Sequence, residues 1–434
     1  MTGRKPTISV IIPTHNRRES VCRTLAALAT QTMPPARFET IVVADGCVDD
    51  TVSYLRSLTL PFRLTVVEQP GQGQGKARNE GTARAAGNIL VFLDDDIEPH
   101  AGMLAAYEQA HGLYPRHLII GPAPPVLTAE SSFFHHGLRN WWLDHIQSLK
   151  QVSHRFTYRD MHSGNFSMAT DLFAETNGFD SEFFGRSGED YEFGIRLLAM
   201  GVPYTLAAEA AGFHHDGTDL DRSLLRVRME GRADVLIGLR HPELRTGLRL
   251  AGIQSSRTRL LRLLLNLAFN RPSLGDWIAR FFRVALQPLE RFRLRRTWRA
   301  VYGAVRSYWY CRGAAEELRS SAPTISAADF CQGGSGAQEP IPDFDLDGGL
   351  DHAKRALDAL RPSGVNLRLG GLYLGEVAPI PGAEPLRGDH LPTILAGQVY
   401  YRLLAALAMN EMRTGKGWKH FFAAGEDRTR ALPQ

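Results

Sequence analysis

Cysteine is scarce in this 434-residue chain, which carries only Cys22, Cys47, Cys311 and Cys331. They are widely spaced and include no CxxC pair, which excludes a disulfide framework and a cysteine zinc site and points to a reducing compartment. Long apolar runs are lacking as well. No stretch approaches the roughly 18 uninterrupted apolar residues of a spanning helix. Even Leu263 to Phe269 is broken by Asn266 and bracketed by Arg262 and Arg271. The basic start, Met1 to Pro6, leads into a short strand pattern without the apolar stretch of a signal peptide. A cytoplasmic location is expected. Lysine is absent between Arg222 and Arg319, where 21 arginines face seven acidic residues. That is a local charge of +14, leaving −10 for the rest of a chain whose net charge is +4. Such asymmetry suits an anionic partner, either nucleic acid or a membrane surface.

What is present is ordinary globular composition, 44% hydrophobic and 22% charged, with length for two or three domains. The first half alternates strand and helix patterns. Ile8 to Pro13, Phe38 to Ala44, Leu64 to Val67 and Ile89 to Leu93 read as strands, and Tyr204 to Ala207 as another. Asn16 with Glu19 has the capping-box spacing for the first helix. Strands apolar on both faces imply a mostly parallel α/β sheet covered by helices on both sides. Ligands of such sheets bind at the carboxyl ends of the strands, where Thr14–Arg17, Asp45–Asp50, Gly71–Arg78 and Asp94–Asp96 fall. Past Asp221 the pattern becomes helical and Arg-studded, over 255–269 and 277–318, interrupted at Pro272 and Pro288. A linker is expected over 332–342. Beyond it come a helix over 351–360, a strand pair at 365–369 and 372–377, and a helix over 390–412. The expected domains are 1–221, 222–331 and 343–434.

Three constellations carry chemistry. Asp94, Asp95 and Asp96 close an apolar strand, and hard cations such as Mg²⁺ take one or two carboxylates plus substrate phosphates; a solvated loop tip is the plainer alternative. Glu189 and Asp190 open a helix, where ordinary first-turn charge would also suit the dipole. His214 and His215 follow the Tyr204 strand, and His is a common metal ligand. Two phosphate-loop look-alikes fail. Ala77 stands where Ser or Thr should follow Lys76, and Lys76 and Arg78 stand where a dinucleotide fingerprint needs its third glycine. Asp343, Asp345 and Asp347 mimic a calcium loop, but Lys354 occupies the position of its bidentate glutamate; a solvated acidic turn is expected there.

The motifs together resemble the family-2 inverting glycosyltransferases of the GT-A fold. Over about residues 7–220 they run SVIIPTHNR, IVVADGCVDDT, GKARNEG, VFLDDD, GNFSM, NGFDSEFF and GEDYEFGIRL, in the family's order. The resemblance implies a GT-A type α/β domain followed by an α-helical extension and a small mixed C-terminal module. It implies a nucleotide-sugar pocket at Pro13, Thr14, Asn16, Arg17, Asp45, Arg78, Asp94, Asp95 and Asn165. A Mn²⁺ or Mg²⁺ would be held by Asp94, Asp96 and His214 or His215. Asp190 matches the general base and Glu189 its acidic neighbour. Ala44 departs from the family pattern, in which the second strand ends in two aspartates, a position that bears on base specificity. A UDP-sugar donor and a glycan, lipid-linked or other envelope acceptor are expected, the lipid-linked or envelope acceptor being natural if the Arg-rich segment lies on a membrane. The rival functions are a sugar nucleotidyltransferase, which should carry a Gly-rich basic loop where PTHNR stands, and a non-catalytic glycan-binding or scaffolding protein. For the Arg-rich segment, interleaved aromatics suit an interfacial helix at the inner face of the cytoplasmic membrane. Helices covering the catalytic domain are the alternative, and no nucleic-acid-binding motif accompanies the charge.

Overall fold

The computed structural model describes residues 5–183, 188–332, 340–415 and 417–422. Phe184, the last residue of the NGFDSEFF motif, with Gly185 to Ser187, and most of the expected linker lie outside the described residues. The chain divides into two compact units, one of residues 1–147 and 157–334, the other of residues 148–156 and 335–434.

The first unit opens as alternating strands and helices: β1 (Ile8–Thr14), α1 (Arg18–Leu28), β2 (Phe38–Asp45), α2 (Thr51–Ser57), β3 (Arg63–Gln69), α3 (Gln74–Thr82), β4 (Ile89–Leu93), β5 (Ile97–Pro99) and α4 (Met103–Leu113). There follow β6 (Leu118–Ile120), α5 (Phe133–Leu149), β7 (Asn165–Ala169), α6 (Thr170–Glu175), α7 (Glu189–Ala199), β8 (Tyr204–Leu206) and β9 (Gly212–His214). The main sheet has the order β3-β2-β1-β4-β7-β6-β8. β3, β2, β1 and β4 are mutually parallel, whereas β7 runs antiparallel to both β4 and β6. Every residue of β1, β2 and β4 is buried, which is why these strands read as continuous apolar runs. At Gly81 an added Cβ would stand 2.6 Å from Ile11 Cγ2, so α3 approaches the sheet more closely than any larger residue allows.

The expected capping box does not form. Asn16 takes a left-handed backbone (φ 51°), Arg17 occupies the cap position, and no side chain caps α1. The Asn16 carboxamide oxygen instead accepts from the backbone N–H groups of Val48 and Asp49, at 2.8 and 3.3 Å. It ties the loop after β1 to the loop after β2.

Still in the first unit, the chain continues as α8 (Leu220–Arg240), α9 (Arg249–Gln254), α10 (Arg259–Asn270), α11 (Pro272–Arg291), α12 (Arg295–Ser321) and α13 (Ala327–Gln332). Pro272 starts α11 at a position where its missing N–H costs nothing. Pro288 lies inside that helix and does not end it; the break falls at Phe292–Leu294, where Arg293 is left-handed (φ 56°). α8 and α12 cross at two glycines: a Cβ on Gly231 would meet Tyr310 O, and one on Gly313 would meet Arg228 O. The buried Asp234 accepts from Tyr310 Oη at 2.5 Å and lies 3.2 Å from Arg159 Nη2, which joins this helical layer to the η-turn at Tyr158–Asp160.

The second unit holds β10 (Asp343–Asp345), α14 (Leu350–Leu360), β11 (Val365–Leu369), β12 (Leu372–Val377), α15 (Leu391–Gly397), α16 (Tyr400–Thr414) and α17 (Trp418–Phe422). The acidic stretch expected as a turn begins instead as strand β10, parallel to β11, because Phe344 is buried in this unit's core. The helix expected over 390–412 is two, bent by 95° between Gly397 and Tyr400. No single helix among the described residues is long and apolar enough to cross a membrane.

Candidate active site

The carboxyl ends of β1, β2 and β4 open into a cleft of about 610 Å³. Thr14, Arg17, Asp45, Asp94, Asp95, Asp96, Glu189, Asp190 and His214 all line it. Residues up to 200 positions apart in sequence therefore meet at one place.

On the wall formed by β1 and β2, Asp45 is buried and anchors the following loop. Its carboxylate accepts from Gln69 Nε2 and Gln72 N at 2.7 Å and from Gly73 N at 2.8 Å. Gly46 (φ 69°) permits this closure, since a Cβ there would lie 2.8 Å from the Gly71 backbone. Pro13 and Thr14 continue the wall at the exit of β1.

The three aspartates after β4 are not equivalent. Asp95 turns inward, accepting from Thr14 Oγ1 at 2.6 Å and from Arg17 Nη1 at 3.0 Å. Burial pushes its carboxyl up to about 6, against the opposing pull of Thr14 and Arg17. The Thr24 hydroxyl donates to the Asp95 and Ile97 carbonyls, holding the turn from α1. Asp96 accepts from Arg17 Nη1 at 2.9 Å through Oδ2. Its other oxygen is buried and has no aligned hydrogen-bond donor, although His214 Nε2 stands 3.2 Å away. Burial works to raise the Asp96 carboxyl, but His214 and Arg17 hold it below the usual range. Burial likewise works to lower the His214 imidazolium, and Asp96 raises it instead.

β9 pairs with β5 so that His214 stands opposite Ile97. Side chains alternate along a strand, and the two histidines therefore part. His214 faces Asp96, while His215 turns to Glu98, with Nε2 2.7 Å from Oε2. His215, like Asn16, borders a second depression beside the first.

Asp94 belongs to a different network. Arg78, wholly buried, donates to Asp94 Oδ1 at 2.8 Å, and its Nη1 lies 3.7 Å from Glu189 Oε1. Its guanidinium also sits 5.5 Å from the Phe179 ring centroid, an arrangement that offsets part of the cost of burying charge. Arg78 does not line the cleft; it stands behind Asp94 and Glu189 and links the β4 turn to α7. Arg78→Met would leave two carboxylates facing an emptied site. Breaking a buried pair costs about 3–5 kcal/mol, so a fall of several degrees in Tm is expected. An unchanged melting curve would show that this bridge is not structural.

α7 begins after Gly188, whose left-handed backbone (φ 98°) sets Glu189 and Asp190 at the cleft. Asp190 accepts from Tyr191 N at 2.9 Å. Burial, then the neighbouring Glu189 charge, pushes its carboxyl up to about 7. The helix N-terminus alone would favour the anion; removal from water outweighs it.

Asn165 is not brought to the cleft. It is buried, accepting from Tyr107 Oη at 2.7 Å and donating to Ala210 O at 2.9 Å. Its place is to bind β7 to α4 and to the loop before β9. Conversely, Arg222, Arg226 and Met229 from α8 line the cleft, with Ser163 and Lys76. Periodicity assigned α8 to a separate basic extension, and nothing in its sequence marks which arginines turn inward.

Residues 9–176 match the family model for glycosyl transferase family 2, and residues 145–214 that for the N-terminal domain of galactosyltransferase. Over 240 residues the chain is 32% identical to validoxylamine A glucosyltransferase of Streptomyces hygroscopicus subsp. limoneus, a match covering 49% of this chain and 52% of that protein. It is 38% identical over 102 residues to glycosyltransferase AglE of Haloferax volcanii, covering 23% and 34%. A solved mannosyltransferase, PcManGT from Pyrobaculum calidifontis in complex with GDP-Man and Mn²⁺, aligns over 73% of this chain and 88% of that one. The identity is 17% and the TM-score 0.45. The chain spans about half the length, or less, of these curated relatives. Residues 9–176 thus carry a glycosyltransferase family-2-like enzyme domain, and the mixed central sheet with flanking helices is consistent with the GT-A architecture.

Proposed function

We propose that the cleft transfers a sugar, with inversion, from a UDP-sugar to a glycan, lipid-linked or other cell-envelope acceptor. The observation that carries this reading is the meeting in one cleft of the Asp94–Asp96 turn with His214 and of the Glu189–Asp190 pair. An ionised carboxylate accepts about four hydrogen bonds. Asp45 already accepts three, which leaves room for one, and the single imide N–H of uracil fits that vacancy.

Mn²⁺ or Mg²⁺ fits the donor set of Asp94, Asp96 and His214. Support comes from the buried Asp96 oxygen, which lacks an aligned donor and lies close to His214 Nε2. Among the described residues no three His, Cys, Asp or Glu side chains already form a cage. Mg²⁺ often has none, because phosphate oxygens and water complete its shell. When bound, the cation would neutralise charge on the leaving diphosphate. Arg222, Arg226 and Lys76 add fixed positive charge to the same cleft, where preorganised cations stabilise a departing phosphate. Asp190 takes the proton from the acceptor hydroxyl as it attacks the anomeric carbon. Arg78 positions Glu189 and Asp94 without touching either substrate.

The test is incubation with Mn²⁺ and a panel of nucleotide sugars, followed by assay of free nucleotide. Metal-dependent release from a UDP-sugar is expected. Tight UDP binding with no turnover of any donor, in the presence of acceptor glycans and lipids, would favour the glycan-binding rival.

A further inference from the structure

The helical layer carries an apolar stripe on its outer surface. Leu274, Trp277, Phe281 and Val284 of α11 are all exposed, Trp277 by 66% and Phe281 by 59%. Their spacing of three, four and three residues puts them on one helix face. The inward side of the same helix is already occupied by Gly275, Ala279 and Leu286, which are buried. α11 therefore has two apolar faces, and folding covers only one. The rings of Trp277 and Phe281 stack with centroids 6.1 Å apart, so the outer stripe is continuous. Just beyond the helix, Phe292 and Leu294 are exposed as well.

The charge around the stripe is of one sign. Both acidic residues of α11 are engaged with the protein itself: Asp276 by Tyr308 and Arg312, and Glu290 by the Phe133 N–H. Arg283 is held by Asp221. Arg280, Arg291, Arg295 and Arg296 are exposed and make no ion pair among the described residues.

We infer that this face of α11 is a docking surface for an anionic lipid bilayer. A helix lying in the interface needs a stripe of Trp, Phe and Leu flanked by cations, and affinity then grows with both apolar area and anionic charge. A second copy of the chain is a poorer occupant, since a two-fold contact through this stripe would bring unpaired arginines against arginines. Single-stranded nucleic acid is held in a basic groove with rings presented for stacking; a convex helix face with aliphatic Leu274 and Val284 among its rings is not that. None of the stripe residues lines the catalytic cleft, so a docked enzyme would keep its cleft free for a lipid-linked acceptor.

The experiment is co-sedimentation of the full chain with phosphatidylcholine vesicles, with and without phosphatidylglycerol. Binding to the anionic vesicles is expected to exceed binding to neutral ones by at least tenfold and to weaken with salt. Trp277→Ser with Phe281→Ser should lose at least tenfold in vesicle affinity, and Arg295→Gln with Arg296→Gln about fivefold per arginine. UDP binding should be unchanged in both variants, which shows that they are folded. Failure to prefer anionic vesicles would overturn the inference, as would full binding by the stripe variant. So would a dimer that the stripe variant converts to monomer without any vesicle binding, or binding to poly(U) but not to vesicles.

Discussion

Asp190→Asn is expected to slow sugar transfer by about 10²–10⁴-fold, the usual contribution of a general base, while donor affinity changes little. The side chains are nearly isosteric, but the amide is a poor proton acceptor. Asp190 lines the cleft beside Glu189, and its carboxylate accepts from Tyr191 N. Its raised carboxyl, about 7, fixes the sign of the pH dependence. Below that value Asp190 is protonated and cannot act as base, so the wild-type rate should rise with pH through about 7. Stability runs the other way. A carboxyl whose folded value lies above its unfolded one holds more protons in the folded state between the two. Its presence therefore costs stability as pH rises from about 4 to about 7. Asp190→Asn should accordingly raise Tm at pH 8 and leave it unchanged at pH 4. Calorimetry for donor binding, product formation for rate and thermal melts at the two pH values check each part. Near-normal transfer by the variant would remove Asp190 from the role of base, and loss of donor binding together with rate would move it into the donor pocket.

Asp96→Ala should abolish metal-dependent UDP binding. The change removes one carboxylate of the expected metal set and the partner of both Arg17 and His214. Without Asp96 the His214 imidazolium loses the carboxylate that raises it. The fold should survive, because Asp95 keeps the turn tied to Thr14 and Arg17. Titration of UDP with Mn²⁺ into the variant is the check. Wild-type affinity, still lost on adding a chelator, would place the cation elsewhere.

The features legible in the sequence were those in which one local rule decides. β1, β2 and β4 are buried on both faces, so their apolar residues run on without alternation, broken only by Ser9, Thr14, Glu39, Thr40 and Asp45. The Asp94–Asp96 turn follows directly from the end of such a strand. β5, β6 and β9 are three residues long, too short to show a period. β7 mixes Asn165 and Ser167 with apolar neighbours, because those polar groups meet Tyr107 and His111 inside the protein. That pairing joins residues more than fifty positions apart, which no local pattern records. Arg78 is a similar case: its place in GKARNEG is visible, but its complete burial behind Asp94 and Glu189 depends on α3, β4 and α7 coming together. Arg222 and Arg226 look like any other arginines of a basic helix until α8 folds back over the cleft. The helix break expected at Pro288 falls further on. Pro288 sits within the last turn of α11, and the left-handed Arg293 beyond it sets the break.

The central claim is a single displacement in which Asp190 serves one face of the donor sugar and the diphosphate leaves from the other. The anomeric configuration of the product tests it most directly. Once a donor and acceptor are found, the new linkage can be read by proton NMR from its anomeric coupling. An α-linked UDP-sugar should give a β-linked product, the configuration inverted. A product that retains the α configuration would contradict the account, since one base and one displacement cannot produce it.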